Sequence, residues 1–443
     1  MNERIQSLFP QAVDLKTYAI TNSELTIEFA YIASLCDEDT ISQFISVPFV
    51  KEETSFSEQL RTLPNYNKLG EEAELQEWLL KGYALIEANG QLYALLAVNV
   101  LSNDISQTLV ESALQGSQIA LSEDLNKSLN LIRSMYPSLT LTIEQGSAGT
   151  ISRTPIMTVF DQKLADPEIL KHVRDKITGI QAEMIQASGE LEKQLAGKLH
   201  HLFPTILITE RPDRVAMALS NGKVVILLKG SMFALILPST FFDFMHAVED
   251  NFEAYWMTRF LIILRYFATF LTITLPALYV AIVSYNPELF RIQLAFSVAA
   301  SRAAVPYPSF IEVFIMLFMI EMLIEASIRL PRFIGSTATT VGGLILGQAA
   351  QEAGLVSSIM IIVTSVVAIS NFVIPVNTLS FAIRFLKYPL LAVSIFFGIS
   401  GIAVMLFFYL VYICNLRSFG IPYFRLPGLT KSVKHDIGQV NGE

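Results

Sequence analysis

The chain has 443 residues, of which 52% are hydrophobic and only 16% are charged, and its formal net charge is -9. A soluble globular domain carries about 25% charged residues, so the excess of apolar sequence argues against an ordinary soluble protein. The negative net charge, and the lack of a basic stripe interleaved with aromatic residues, argue against a nucleic-acid partner.

Polar and apolar sequence separate along the chain. The first part, to about residue 250, has the composition of a globular protein, whereas runs of roughly 20 apolar residues recur after Phe260. A helix of that length crosses about 30 Å of hydrocarbon. Residues 1–10 lack the basic and then apolar pattern of a cleavable signal peptide, so we expect membrane insertion to begin at an internal span.

The first β-rich unit opens the chain. We predict strands over 13–20 and 25–33, a helix after Asp37 and a closing hairpin over 81–96. The hairpin turn is the Asn-Gly pair at 89–90, which accepts the positive φ angles of a tight turn.

A second unit repeats this order. Strands are predicted over 139–144 and 154–160, a helix over 166–177 and a closing hairpin over 221–237. The two closing hairpins align without a gap, and their aligned glycine pairs are Gly82 with Gly222 and Gly90 with Gly230. The repeat predicts two similar α+β subdomains built on one plan.

The predicted fold class is an α+β N-terminal region of two similar subdomains, followed by an α-helical polytopic membrane domain. Apolar residues near helical spacing between the two subdomains predict a connecting helix. The predicted ranges are 1–110 for the first subdomain, 111–136 for the connecting helix, 137–250 for the second subdomain, 251–427 for the transmembrane domain and 428–443 for a polar tail.

No pattern in the sequence points to enzyme chemistry. There is no phosphate-binding Gly-rich loop before a helix and no Gly-x-Ser-x-Gly elbow. His200 and His201 are neighbours that point to different faces of a helix, which is a poor arrangement for a metal ion. Cys36 and Cys414 lie in different halves, so the sequence offers no disulfide framework or zinc cluster. We therefore expect no catalytic residue, no metal site and no cofactor.

A charged cluster precedes the second closing hairpin. It consists of Glu210, Arg211 and Asp213, with Pro212 at the start of a predicted helix. Proline suits the first turn of a helix. The cluster is interpreted as a helix cap with a surface salt bridge or as a subunit contact, because no nucleophile lies near it for catalysis.

The C-terminal half contains five predicted spans and one shorter apolar run. The spans cover 266–283, 310–330, 337–353, 356–376 and 390–414, and the shorter run covers 292–304. The shorter run could lie in the membrane interface or re-enter the membrane.

The positive-inside tendency favours a cytoplasmic N-terminal half. In that orientation the basic residues that face the cytoplasm are Arg259, Arg265, Arg329, Arg332, Arg384 and Lys387. Five crossings then place Arg417 and Arg425 outside, which conflicts with the same tendency. We therefore expect the Gly-rich third run or the 292–304 region to be a partial or re-entrant element.

The second predicted span carries Glu321, Glu325 and Arg329 at positions i, i+4 and i+8. Charge in hydrocarbon is costly, so these side chains are expected to face protein or water. Their spacing puts them on one helix face and lets Glu325 pair with Arg329. A structural ion pair between packed helices and a role in ion passage stay open as alternatives.

The third predicted span is rich in glycine and alanine, which let helix backbones approach closely. On one stripe it carries Val341, Ile345, Gln348 and Glu352, so the stripe is apolar at one end and acidic at the other. In a ring of identical subunits this stripe would form a hydrophobic constriction beside a collar of carboxylates. A tightly packed bundle within one chain is the alternative.

Several segments in this order resemble the A-subunit family of bacterial spore germination receptors, the GerA family. The segments are 207–213, 264–266, 275–281, 329–332, 345–350 and 417–423. The resemblance covers roughly 114–427, and the related stage V sporulation protein AF shares the same architecture.

The resemblance implies a multi-pass subunit of the inner membrane of a bacterial spore, with a large cytoplasmic N-terminal region. It also implies a transporter-like B subunit and a lipoprotein C subunit as partners. Members of the family are thought to form ring oligomers that open as ion channels and release monovalent cations at germination. An ion-coupled secondary transporter and a non-conducting scaffold are the alternative functions, although no paired broken helices of an inverted repeat are found.

Overall fold

The structure is a computed structural model that describes residues 1–8, 12, 14–22, 26–51, 66–69, 75–99, 107–108, 110–111, 116–197, 201–330 and 332–425. The chain divides into two compact units. The sheet unit comprises Met1–His200, Thr205–Ser239 and Ser418–Ile421. The helical unit comprises His201–Pro204, Thr240–Arg417 and Pro422–Glu443. The subdomain boundaries predicted from the sequence stay predictions, and the predicted tail at 428–443 lies outside the described residues.

The first half of the sheet unit contains a five-stranded antiparallel sheet in the order β1-β2-β4-β5-β3. Its strands are β1 Leu15–Thr21, β2 Thr26–Ile32, β3 Tyr66–Leu69, β4 Tyr83–Ala88 and β5 Gln91–Leu96. Its helices are α1 Asn2–Leu8, α2 Glu38–Ile41, α3 Val47–Lys51 and α4 Leu75–Leu80, with a π-helical turn at Ser42–Ser46. The helix predicted after Asp37 begins there because the Asp37 carboxylate accepts from two backbone amides of the first turn.

The second half repeats that sheet in the order β6-β7-β9-β10-β8. Its strands are β6 Leu141–Ala148, β7 Thr154–Asp161, β8 Leu207–Thr209, β9 Val224–Leu228 and β10 Ala234–Leu237. Its helices are α5 Leu125–Met135, α6 Pro167–Thr178, α7 Ser188–Ala196 and α8 Pro212–Ser220. The strand order of the first sheet recurs position by position, so the sheet unit contains two α+β halves with one strand order.

The closing hairpins explain why the glycines repeat. Gly82 and Gly222 both have positive φ, and an added Cβ would lie 2.6 Å from Val98 or 2.5 Å from the Leu164 carbonyl oxygen. Asn89 and Gly90 both have positive φ as well, as the predicted two-residue turn requires.

The predicted connecting helix is shorter than expected. It occupies only Leu125–Met135, because the Asp124 side chain caps it by accepting from the amides of Asn126 and Lys127. Just upstream, the Leu121 amide donates to the Glu210 carbonyl instead of to a helical partner. Tertiary pairing therefore overrides the helical spacing of the apolar residues before Asp124.

The helical unit follows the predicted runs. Its helices are α9 Phe241–Met245, α10 Tyr255–Tyr285, α11 Ile292–Arg302, α12 Ser309–Arg329, α13 Arg332–Glu352, α14 Ser358–Phe372 and α15 Asn377–Asn415, with 3-10 turns at Val248–Asn251 and Pro287–Leu289. A two-residue β11 at Arg417–Ser418 and β12 at Ile421–Pro422 close the described chain. In the described part of the chain, α10 and α15 are long and apolar enough to cross a membrane by length and composition, and α14 is a shorter apolar helix.

The prediction of one span at 390–414 is wrong, because α15 folds back on itself. Its 39 residues would measure about 58 Å if straight, about twice the hydrocarbon thickness. Gly398 interrupts the helix with φ 57° and ψ -140°, a conformation open essentially only to glycine. The Tyr409 hydroxyl donates to the Leu386 carbonyl oxygen at 2.9 Å across 23 residues of sequence, so 377–397 and 399–415 form an antiparallel hairpin.

Candidate functional site

The predicted pore stripe lies on an exposed face of α13. Val341 is 48% exposed and Ile345 is 57% exposed, and Gln348 and Glu352 are exposed as well. These four side chains recur at helical spacing, so they form one continuous surface that nothing else in the described part of the chain covers. The surface is apolar in the middle of the helix and polar at its C-terminal end.

Three small residues of α13, Gly342, Gly343 and Ala350, face other parts of the same chain. A Cβ added to Gly342 would lie 3.1 Å from a methyl group of Leu323 on α12, and one added to Gly343 would lie 3.4 Å from the other. Ala350, two helical turns further on, is buried. Glycine and alanine therefore let α13 pack closely within its own chain, and this packing turns the stripe outward.

The carboxylate of Glu321 joins α12 to α15. Its Oε1 lies 2.7 Å from the Lys387 ammonium, and its Oε2 lies 3.6 Å from Arg384 Nε. Lys387 is buried, and Arg384 stacks on the Phe381 ring with its guanidinium carbon 4.6 Å from the ring centre. The sequence indicated that Glu321 needs a partner, but both of its partners lie on a helix more than 60 residues away.

Glu325 and Arg329 form the i, i+4 ion pair that their spacing predicts, with Nη2 and Oε1 2.7 Å apart. Both side chains are more than half exposed. Although Glu321 shares their side of α12, it turns to α15, so the three predicted charges divide between two networks. Their role in ion passage stays a prediction.

Glu312 is a fully buried carboxylate that the sequence reasoning did not select as a site. Its Oε1 accepts from the amide of Ser357 at 2.6 Å and from the Ser357 hydroxyl at 2.5 Å, which caps the start of α14. Its Oε2 lies 3.3 Å from Arg302 Nε and 3.4 Å from the Tyr279 hydroxyl. Glu312 thus ties together α10, α11, α12 and α14. Its place in an otherwise apolar stretch was the signal that it needed such partners.

A cavity of about 360 Å³ lies between the C-terminal end of α10 and helix α11. Its lining is apolar except for Arg302, and consists of Val283, Pro287, Phe290, Ala295, Val298, Ala299, Arg302 and Ala303. Arg302 is already paired with Glu312, so the cavity presents no uncompensated charge.

The predicted surface location of Glu210 and Arg211 is wrong, since both side chains are 1% exposed. Glu210 Oε1 accepts from the amides of Val110 and Glu111, and Arg211 makes two hydrogen bonds to the Asp213 carboxylate at 3.0 and 2.6 Å. The cluster therefore clamps the segment between the two subdomains onto the second sheet. A subunit contact by these residues stays a prediction.

A buried acid precedes the first long helix of the helical unit. The Asp250 carboxylate lies 2.5 Å from Arg265 Nη1, accepts from the Ala247 amide at 2.9 Å and lies 3.6 Å from His246 Nδ1. Burial by itself raises the pKa of Asp250, but the hydrogen bonds from His246, Arg265 and Ala247 outweigh it and lower the pKa to about 2. Asp250 is therefore a permanent anion that anchors Arg265.

The histidine pair considered for a metal site is only partly described. His201 is partly buried, and His200 lies outside the described residues. Among the residues that the structure covers, no three or more His, Cys, Asp and Glu side chains cluster as metal ligands. The absence of a cofactor and of catalytic residues stays a prediction.

Comparison with known proteins gives a consistent result along nearly the whole chain. Residues 3–436 match the family model described as Bacillus/Clostridium GerA spore germination protein. The chain is 31% identical to spore germination protein B1 of Bacillus subtilis (strain 168), over 93% of this chain and 88% of that protein. It is 32% identical to spore germination protein KA of the same organism, over 89% of this chain and 74% of that protein.

Two further proteins are similar to this chain. An uncharacterized membrane protein of the same organism, YfkQ, is 34% identical over 82% of this chain and 71% of its own length. The crystal structure of the N-terminal domain of the A subunit of the Bacillus megaterium spore germinant receptor GerK3 matches 54% of this chain and 94% of that chain, with a TM-score of 0.42 and 21% identity.

Proposed function

The chain belongs to the GerA family of Bacillus and Clostridium spore germination proteins, and from that premise we propose that it is a membrane subunit of a spore germination receptor. In this proposal, copies of the chain assemble around α13 into a channel that opens when a nutrient is sensed. The open channel releases monovalent cations at germination. The site is the stripe of Val341, Ile345, Gln348 and Glu352.

The position of the stripe carries this proposal. A helix face that only met lipid would be apolar throughout, whereas α13 packs through Gly342 and Gly343 and exposes Gln348 and Glu352 on the same stripe as Ile345. A ring of exposed isoleucine side chains narrows and dewets a pore, and the carboxylates of Glu352 attract cations at one end of it. The two ends of the stripe thus supply a gate and a charge filter.

The number of helical crossings supports a multi-pass topology in which the N-terminal sheet unit and the C-terminal end of the chain both lie on the cytoplasmic side. The α15 hairpin adds one crossing to the five predicted from apolar runs, so the count becomes even. Accordingly, Ser418 donates to the Thr205 carbonyl oxygen at 2.7 Å, and Phe419 packs into the core of the second sheet. Arg417 and Arg425 then lie on the side of Arg259, and the conflict with the positive-inside tendency disappears.

The proposed location is the inner membrane of the spore, with the sheet unit in the cytoplasm. A transporter-like B subunit and a lipoprotein C subunit complete the proposed receptor. Cys414 tests the sidedness, since it is exposed whereas Cys36 is buried. A membrane-impermeant thiol reagent should label Cys414 in inside-out vesicles and spare it in right-side-out vesicles, and the reverse pattern would contradict the topology.

In the alternative of an ion-coupled transporter, Glu321 and Glu325 would have to be free to bind the coupling ion at mid-membrane. Glu321 is engaged by Lys387 at 2.7 Å, and Glu325 is paired with Arg329. This pairing favours a channel over a transporter. Single-channel steps from the purified full chain in a planar bilayer would separate a channel from saturable exchange and from a non-conducting scaffold.

The direct test replaces the side chain of the proposed gate with a smaller one. Ile345→Ala widens a dewetted constriction, so spores that carry it should lose monovalent cations without nutrient. Ile362→Ala on α14 is the matched control, because Ile362 is 63% exposed, close to the 57% of Ile345, but lies outside the stripe. Equal ion retention by the two variants, at equal protein levels, would refute the gate.

A further inference from the structure

An excess of positive charge lies between α12 and α15. Two cations, Lys387 and Arg384, face the single carboxylate of Glu321. Lys387 forms a hydrogen bond to that carboxylate at 2.7 Å, whereas Arg384 Nε is 3.6 Å away and buried, and has no hydrogen-bond acceptor in the described structure. The Glu321 carboxylate therefore accepts a hydrogen bond from Lys387, whereas Arg384 Nε is left without an acceptor.

Other carboxylates in the described part of the helical unit do not supply the missing charge. Glu325 pairs with Arg329, and Glu312 is buried in its own network with Arg302. Glu352 lies nine residues beyond Gly343, which contacts Leu323 near the cluster, so it is roughly 14 Å further along α13. Of these three carboxylates, none is both unpaired and at the level of Arg384 in the described chain.

The surface around Arg384 is apolar. Phe381 and Phe385 flank it on α15 and are 46% and 57% exposed. On the neighbouring side of α12, Phe318 and Met322 are also more than half exposed. Because Glu321 and Arg384 are in contact, these exposed side chains lie on the two helices beside one ion pair, and we name this apolar surface the α12/α15 groove.

This combination of apolar walls and one unmatched cation defines the chemistry of the occupant. A cation that shares one carboxylate with a second cation, and whose buried Nε has no hydrogen-bond acceptor, is expensive among apolar helices, and polar residues in membrane helices form contacts to other helices. Arg384 lies seven residues inside α15, about 10 Å from its start at Asn377, which is deeper than a lipid headgroup. A water-soluble partner would not match phenylalanine walls.

We propose that the α12/α15 groove binds a transmembrane helix of a different protein, and that an Asp or Glu within that helix pairs with Arg384. This inference rests on the proposed membrane placement of the helical unit. It assigns Arg384 a partner-recognition role that is separate from the pore stripe on α13.

The test uses the full chain in phosphatidylcholine vesicles with three labelled peptides as probes. Each peptide is a Leu/Ala transmembrane helix with one central Glu, Gln or Lys, and binding is followed by energy transfer to a dye on Cys414. The Glu peptide should bind roughly five- to tenfold more tightly than the Gln peptide, and the Lys peptide should bind most weakly. Labelling of Cys414 by a membrane-impermeant thiol reagent, in matched vesicles without the dye, checks insertion independently.

Two variants and a control test whether the preference for the Glu peptide depends on Arg384. Arg384→Gln should abolish the preference for the Glu peptide, and Arg384→Lys should retain part of it. Arg259→Gln is the control, because Arg259 is an exposed arginine at the start of α10 and should leave the preference unchanged.

Several results would overturn the proposal while the membrane placement survived. Equal binding of the Glu and Gln peptides by correctly inserted wild-type protein is the first. If the preference for the Glu peptide disappeared only in vesicles that contain phosphatidylglycerol, the groove would bind lipid phosphate instead of a helix. Loss of the homo-oligomer in Arg384→Gln, without a peptide preference in the wild type, would assign it to a second copy. If Arg384→Gln fails to fold, the order of the three peptides on the wild type still decides.

Discussion

The buried charges of the sheet unit and those of the helical unit are organised in opposite ways. In the sheet unit, Arg211 meets the Asp213 carboxylate and a backbone carbonyl, and the extra carboxylate of Glu210 accepts from two backbone amides, so local hydrogen bonds offset the excess negative charge. In the helical unit, Arg384 and Lys387 share the one carboxylate of Glu321. Backbone donors thus compensate the extra charge of the sheet-unit cluster within its own chain, whereas Arg384 Nε has no hydrogen-bond acceptor in the described structure.

The same contrast separates structural from functional candidates in this protein. The cluster of charges around Arg211 turns inward and fixes the segment between the subdomains. The pore stripe and the α12/α15 groove turn outward and leave apolar side chains uncovered in the described structure. Four measurements test this contrast.

The largest effect is expected from Glu321→Gln. The substitution leaves Lys387 and Arg384 without a carboxylate, and removal of one partner from a buried pair costs about 3 to 5 kcal/mol. Lys387→Met should cost far less, because Glu321 then pairs with Arg384 alone. Thermal unfolding of the full chain in detergent measures both variants, and equal losses would show that the cluster carries no excess positive charge.

Arg211→Ala tests the charged cluster of Glu210, Arg211 and Asp213 in the sheet unit. It leaves the partly buried Asp213 carboxylate and the Glu111 carbonyl group without the Arg211 guanidinium, so we expect a loss of about 3 kcal/mol in the free energy of unfolding. Arg174→Ala removes an exposed pair with Glu144 and should cost less than about 1 kcal/mol. Denaturant unfolding followed by circular dichroism distinguishes them, and similar losses would mean that burial of Arg211 adds nothing.

Asp250 allows a test by pH, because its carboxylate is paired with Arg265 and is titratable. Its pKa is about 2 in the folded protein and near 3.8 when unfolded, and this difference stabilises the fold by about 2 kcal/mol at neutral pH. The stabilisation is present above about pH 4 and is lost as the pH falls through about 2. Asp250→Asn should therefore unfold more easily than the wild type at pH 7, and the gap should close near pH 2; a gap independent of pH would contradict the ion pair.

The smallest effect is expected at the turn of α15, on which the position of Arg384 depends. Gly398→Ala puts a Cβ 3.2 Å from the Tyr285 ring at positive φ, which should cost about 1 to 2 kcal/mol. Gly347→Ala, in open space on α13, should instead stabilise the chain by about 0.5 to 1 kcal/mol. Thermal unfolding compares the two, and tolerance of Ala at 398 would argue for a straight α15.

Much of the fold was predictable because it depends on local pattern. Alternating apolar residues and the Asn-Gly turn located β4 and β5, and the gapless repeat of their glycines identified the second subdomain. The runs of apolar residues located α10 and α12, and the i, i+4 spacing identified the pair of Glu325 with Arg329.

The sequence by itself determined which segments are apolar, which are α+β and which residues carry charge. Only the tertiary structure decided that α15 reverses at Gly398, that Glu321 turns to Lys387, and that Glu210 and Arg211 are buried. The reason is that periodicity and hydropathy report on the nearest few residues, whereas the direction of an apolar run and the partner of a charge depend on segments many residues away. The conformation of Gly398 set the number of helical segments. The packing of α12 and α15 decided that Glu321 bonds Lys387 and leaves Arg384 Nε without a hydrogen-bond acceptor.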